Sequence, residues 1–300
     1  MASVFDRRAW LIGSVAALAA SRVPRGSTAE PPVRPEGSHF KFSLAAYSYR
    51  ALLQGSDARM TLADFVADCA AFELEGTELT SYYFPDPVTD EYLRDLRRTC
   101  FRLGLDVSGT AVRNDFGLPP GAERDRWIAH VKAWVDHSVL LGAPVIRVFA
   151  GDVPKGSSPE EAHRRIVEAF EECCDYAGSR GVHLAVENHG GPTATADGLL
   201  AIVNDVKSVW FGVNLDTGNF RSDDVYGDLA KTAPHAINVQ VKVTVADRSG
   251  KSQPMDFGRI AAILRDVGYR GYVVLEYEEG GDPRQESRRH LDALRAAFLA

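Results

Sequence analysis

Positive charge is in short supply in this chain of 300 residues: 34 Lys and Arg face 41 Asp and Glu, for a formal net charge of −7. A protein that grips duplex nucleic acid shows a basic footprint, so no nucleic-acid partner is expected. A local Arg or Lys can outweigh the global sign, and an anionic small molecule stays open. Cysteine is also sparse. Cys69, Cys100, Cys173 and Cys174 form no CxxC pair, so neither a zinc ribbon nor a thioredoxin motif is present, and they read as plain buried thiols. No glycine-rich loop of the phosphate-cradling kind is visible. The run Glu278-Glu279-Gly280-Gly281-Asp282 is acidic and repels phosphate, so an unphosphorylated substrate is expected. No low-complexity linker divides the folded part, which reads as one domain.

What is present begins with a leader. Asp6-Arg7-Arg8-Ala9-Trp10-Leu11-Ile12 is a charged segment with paired arginines, and the apolar run Leu11 to Ala20 is too short to span a bilayer as a helix. The pattern predicts a signal peptide over residues 1–30 that resembles a twin-arginine export signal, with small residues around Ser27 to Ala29 as the cleavage region. A linker over residues 31–40 leads into a domain over 41–300. The expectation is an exported protein, periplasmic or extracellular, with no stable membrane insertion after processing. The composition, 45% hydrophobic and 25% charged, is that of a globular chain. The roughly 260 residues left match the usual size of a (β/α)8 TIM barrel.

Short apolar runs alternate with amphipathic stretches from Phe42 onward. Strands are predicted at Phe42–Ser48, Gly76–Leu79, Leu105–Thr110, Pro144–Ala150, Val182–Glu187, Phe211–Asp216, Ala236–Val241 and Gly271–Glu276. Helix starts lie between them: Thr61 with Asp64 as a capping-box acid, Ser158-Pro159-Glu160-Glu161, Asp256 and Asp282-Pro283. Eight strand–helix units imply an α/β fold with a parallel sheet closed into a barrel. The longest irregular stretch, Lys242 to Asp256, is a candidate active-site loop.

A TIM barrel places its site at the C-terminal strand ends. Glu78, Arg147, Glu187-Asn188-His189, Asp216-Thr217-Gly218-Asn219, Gln240, Lys242 and Glu276 fall there. Three carboxylates near the axis repel one another unless a cation neutralises them. Glu187, Asp216, Gln240 and Glu276 make an oxygen-only set, which favours Mn2+ or Mg2+ and leaves Co2+ or Zn2+ open. Lys242 reads as an oxyanion-stabilising or acid/base group, or as a salt-bridge partner of those carboxylates. Arg147, His189, Tyr47 and Glu78 are candidate substrate ligands, with a structural role for each as the alternative. Tyr47, Tyr49, Tyr82, Tyr83 and Phe84 form an aromatic wall or simple packing. His137 and His183 read as structural.

Val186-Glu187-Asn188-His189-Gly190-Gly191, Asn214-Leu215-Asp216-Thr217-Gly218-Asn219, Asn238-Val239-Gln240-Val241-Lys242 and Val274-Leu275-Glu276-Tyr277 resemble the xylose isomerase-like barrels, the sugar phosphate isomerase/epimerase group. The resemblance runs from about Phe42 to the C-terminus. It implies metal ligands at Glu187, Asp216, position 240 and Glu276, with Gln240 standing where the family has His. It also implies Glu187 and Glu276 as acid and base on opposite faces of a substrate. The function expected is metal-dependent isomerisation or epimerisation of a free sugar or keto-sugar through an enediolate. Elimination from a 3-keto-glycoside, by a lyase or hydratase, begins with the same proton abstraction and is the alternative. A non-catalytic sugar-binding barrel and an abasic-site endonuclease rank lower, the latter because histidines at strand ends are few. The partner expected is a small carbohydrate, and a homo-oligomer is left open.

Overall fold

The structure is a computed structural model that describes residues 31–55 and 58–300. The predicted leader lies outside the described residues. Eight parallel strands close into a barrel: β1 Lys41–Ala45, β2 Gly76–Thr80, β3 Asp106–Ala111, β4 Val145–Val148, β5 His183–Glu187, β6 Phe211–Asp216, β7 Ala236–Val241 and, after a hairpin, β10 Tyr272–Leu275. The order around the barrel is β1-β10-β7-β6-β5-β4-β3-β2. The hairpin pairs β8 Thr244–Ala246 with β9 Ser252–Pro254 in the stretch expected to be irregular. Asp247 closes its turn, one carboxylate oxygen accepting from the Ser249 and Lys251 amides.

The helices are α1 Arg50–Leu53, α2 Leu62–Ala71, α3 Asp90–Arg102, α4 Ala122–Leu141, α5 Pro159–Gly178, α6 Ala196–Asp205, α7 Val225–Thr232, α8 Phe257–Asp266 and α9 Pro283–Leu299. Their starts follow local chemistry. Thr61 and Asp64 form a reciprocal capping box on α2, and Ser158 and Glu161 form one on α5, each satisfying amides that have no partner inside the helix. Among the described residues no helix is long and apolar enough to cross a membrane. All four cysteines are free and buried.

Three expected strands end early, the last of them, β10, by one residue. β1 stops at Ala45 and turns into a 3-10 segment, Ala46–Tyr49. β4 stops at Val148 because the Asn114 side chain takes over the next residue: its amide oxygen accepts from the Phe149 N–H and its amide nitrogen donates to the Phe149 carbonyl. Residues 31–40 pack on the N-terminal end of the barrel. Arg34 donates to the carbonyls of Ala236 and Val267, and Phe40 meets Phe298 edge-on at 5.0 Å.

Strand residues alternate in direction. On β6, Phe211, Val213 and Leu215 join the apolar layer under the helices, while Asn214 and Asp216 are buried on the other face, inside the barrel. Bonds between β2 and β7, which are not neighbours in the sheet, cross that interior. The lumen is therefore a polar compartment enclosed by an apolar one.

Candidate active site

The C-terminal mouth of the barrel opens into a cavity of about 660 Å³, lined by Tyr47, Tyr82, Arg147, Glu187, His189, Lys242 and Glu276 among others. Two ion-pair groups form its floor. The Arg147 guanidinium lies 3.0 Å from Glu187 Oε2, an ion pair without hydrogen-bond geometry, and donates to the Val112 carbonyl at 2.9 Å. It also lies 4.1 Å from the centre of the Phe149 ring. Glu187 Oε1 accepts from Asn219 Nδ2 at 2.8 Å and meets His189 Nδ1 at 2.7 Å. Burial alone would raise the Glu187 pKa; Arg147 and His189 override it and hold the carboxyl below its ordinary range. The same contact raises the His189 pKa.

The second group surrounds Lys242. Its ammonium lies 2.5 Å from Glu276, 2.7 Å from Glu278 and 3.3 Å from Asp216 Oδ2. These carboxylates hold its pKa far up despite burial. Gly218 makes the arrangement fit, since a Cβ there would stand 2.6 Å from Lys242 Cγ. Asp216 Oδ1 accepts from the Gly218 N–H, but Oδ2 is buried with no hydrogen-bond partner. Burial, with Glu187 and Glu276 nearby, pushes Asp216 up to about 8 against the pull of Lys242.

Glu187, Glu276 and Glu278 are paired with Arg147 and Lys242, and Asp216, pushed up to about 8, adds a fourth carboxyl, so carboxyl groups outnumber the cations that they pair with. That excess, with the orphaned oxygen of Asp216, suits a divalent cation that takes oxygen ligands. The donor chemistry is that of the metal expected from the sequence, but the side chains are not gathered into a site for it. Among the described residues no three His, Cys, Asp or Glu side chains are arranged to hold a metal ion as they stand. Lys242 occupies the space between Asp216 and Glu276.

Two expected assignments change. Glu78 is not a cavity residue. It is 1% exposed, lies beneath the site, and accepts from Asn238 Nδ2 at 2.8 Å and Gln240 Nε2 at 2.6 Å. Burial and the Glu276 charge push it up to about 7. It faces the lumen one level too deep to meet a substrate. Gln240 is in register with Asp216 on the neighbouring strand, but its amide oxygen accepts from Asn214 Nδ2 at 2.6 Å. Its head group is turned to Asn214 and Glu78 rather than to the three carboxylates. Phe149, Glu278 and Arg113, which also line the cavity, were not singled out in the sequence, and Asn219 was quoted there without a role. Glu278 read only as part of an acidic loop, and Asn219 follows the strand-end Asp by three residues, which was the available signal.

The chain belongs to the xylose isomerase-like TIM barrel family, whose model matches residues 66–297. A Streptomyces coelicolor protein assigned as a hydroxypyruvate isomerase is 25% identical over 189 residues, 58% of this chain and 67% of that protein. A 2-oxo-tetronate isomerase of Haemophilus influenzae is 24% identical over 172 residues, 54% of this chain and 66% of that protein. The D-psicose 3-epimerase of Clostridium cellulolyticum has the same fold, with a TM-score of 0.70 at 17% identity, over 86% of this chain and 99% of that one.

Proposed function

We propose that this member of the xylose isomerase-like TIM barrel family isomerises or epimerises a small unphosphorylated hydroxy-carbonyl compound, a keto-sugar or a sugar-derived keto acid. The observation that carries this reading is the pair of buried carboxylates, Glu187 and Glu276. They stand on strands separated by β6 and β7, face one cavity, and are each held by a different cation. One acidifiable carbon–hydrogen bond between them suffices for the chemistry. Glu187, kept ionised by Arg147, takes the proton from the carbon bearing a hydroxyl beside the carbonyl. The electron pair moves into a carbon–carbon double bond and the carbonyl oxygen gains negative charge. Lys242 lies beside Glu276 to balance that charge. Return of a proton to the neighbouring carbon, with the hydroxyl proton passing to the former carbonyl oxygen, completes isomerisation; return to the opposite face of the same carbon, from Glu276 carrying a proton supplied by Lys242, completes epimerisation. Mg2+ or Mn2+, held by Glu187, Asp216 and Glu276, would polarise the carbonyl when bound. Arg147, His189 and Tyr47 line the cavity where substrate oxygens would lie.

The names of the two isomerase relatives favour small hydroxy-keto acids within this class. The test is a panel of hydroxypyruvate, four-carbon keto acids, free ketoses and a 3-keto-glycoside, run in deuterated buffer with Mg2+ or Mn2+. Isomerised product, with deuterium at the former α-carbon or with the proton retained by a shielded base, supports the reading. Loss of the anomeric substituent from the 3-keto-glycoside alone would replace it with elimination. No turnover of any member would overturn it. Export through residues 1–30 belongs to the same proposal and rests on the sequence pattern; intact Met1 on exported protein would refute it.

A further inference from the structure

The barrel has a second cavity, of about 410 Å³, at the end away from the carboxylates. Lys41, Val145, His183, Ala236 and Tyr272 line it, and each is the first residue of its strand. The cavity therefore lies at the N-terminal face. Asn238, which also lines it, is bonded to Glu78, and Glu78 to Gln240, so these side chains stand between it and the mouth.

The charge in this cavity has one sign. Arg34, Lys41 and Arg270 line it, and among the described residues no Asp or Glu does. Lys41 is partly balanced from outside the lining by Asp106 at 3.5 Å. The two arginines are held by backbone alone. Arg34 Nη1 donates to the Val267 carbonyl at 3.0 Å and Nη2 to the Ala236 carbonyl at 2.6 Å. Arg270 Nη1 donates to the Gly37 carbonyl at 2.9 Å. Carbonyls satisfy N–H groups but do not cancel a charge, and each guanidinium has further N–H groups to give. Two uncompensated cations thus face one cavity in a chain whose net charge is −7. The rest of the lining is largely apolar, with Pro35, Pro144, Val145 and Ile237.

We propose that this cavity binds a small organic anion, its carboxylate met by Arg34 and Arg270 and its body laid against the apolar wall. The planar guanidinium matches a carboxylate in shape and charge. A bare inorganic ion would leave the apolar wall uncovered. The site joins residues 31–40 to the barrel, because Arg34 reaches from that segment to Ala236 and Arg270 reaches back to Gly37. Occupancy should therefore raise the melting temperature, as any ligand of the folded state does. The inference stands apart from the reaction proposed at the mouth.

The experiment is calorimetric titration at pH 8 and fixed ionic strength with benzoate, its uncharged counterpart benzamide and inorganic phosphate, alongside thermal melts. Saturable benzoate binding is expected, with a dissociation constant of the order of 1 mM, and weaker binding of the other two. Arg34→Gln and Arg270→Gln are each expected to weaken benzoate about tenfold or more, the weight of a hydrogen bond between charged groups. Arg113→Gln, which removes a cation lining the mouth cavity, should leave it unchanged. Because Arg34 also pins residues 31–40, the exposed Arg270 is the deciding position. Unchanged affinity in folded Arg270→Gln overturns the inference. So does a folded wild type without saturable benzoate binding, benzamide or phosphate bound as tightly as benzoate, or loss of binding in Arg113→Gln.

Discussion

The two faces of the barrel strands obey opposite rules. Toward the helices, Ile146, Val148, Leu184, Val186, Val213, Leu215, Val239 and Val241 belong to one continuous apolar core. Toward the axis, the same strands present Arg147, Glu187, Asn214, Asp216, Asn238 and Gln240, all buried and all polar. A small separate apolar group, Ala45, Tyr272 and Val274, is what the lumen keeps of ordinary packing. The outer face gains stability from area removed from water. The inner face holds charges that are costly to bury and keeps them only because each is paired or hydrogen-bonded. One backbone with a two-residue period thus separates folding from chemistry, and the separation can be tested from both sides.

The largest effect should come from the inner face. Glu187→Gln and Glu276→Gln each keep the shape and the oxygen of the side chain but remove the basic carboxylate. Turnover is expected to fall by about two to four orders of magnitude, the usual weight of general acid–base catalysis. The melting temperature should fall in Glu187→Gln, which leaves Arg147 buried without its carboxylate, and fall less in Glu276→Gln, where Asp216 and Glu278 still face Lys242. Near-wild-type turnover in both variants, with metal still bound, would remove the proton-transfer mechanism. The outer face should behave in reverse. Leu215→Ala, next to Asp216 but pointing the other way, is expected to cost about 2–5 kcal/mol of stability through lost burial and an unfilled cavity. Chemical denaturation would measure this, and activity per folded molecule should be nearly unchanged. A large fall in activity without loss of stability would show that the two faces are not separable.

A smaller effect is expected at Asn219, which donates to Glu187 from outside the strands. Asn219→Ala removes one hydrogen bond to a charged group, of the order of 1.5–3 kcal/mol. Because Arg147 and His189 also hold Glu187, the loss in kcat should lie at the low end, about tenfold, with KM less affected. A loss as large as that of Glu187→Gln would make Asn219 more than an orienting group.

The outer face was largely legible in the sequence because repetition carries it. Phe211, Val213 and Leu215 alternate with Gly212, Asn214 and Asp216, and the expected strand has the observed limits. Capping acids marked the helix starts for the same reason: the partner is three residues away. The inner face was legible only as residue types at strand ends. Glu187, His189, Lys242 and Glu276 do meet around one cavity. The positions of Glu78 and Gln240 were not legible, since their partners come from across the barrel, 162 residues apart in the chain. A strand-end position also does not fix depth, and the stagger of a closed barrel put Glu78 below the cavity. The early end of β4 depended on a side chain, Asn114, that competes with the ladder from another loop.

Protonation separates the two faces with the smallest effect. His130 and His137 flank Trp134 on α4, in the helix layer, with ring centres 6.4 and 5.2 Å from it. Burial lowers both below the ordinary 6.5, so the unfolded chain binds more protons there than the folded one as pH falls. Their contribution to stability is present above pH 6.5 and is lost as pH drops through and below that value. His189 has the opposite sign. Its bond to Glu187 raises its pKa, so its contribution is complete at low pH and disappears as pH rises through the raised value. Against the wild-type curve between pH 7 and pH 5, to which the raised Glu78 and Asp216 contribute in all three proteins, acidification should therefore cost less stability in His137→Gln and more in His189→Gln. The same slope in all three proteins would mean that neither histidine senses the face on which it stands.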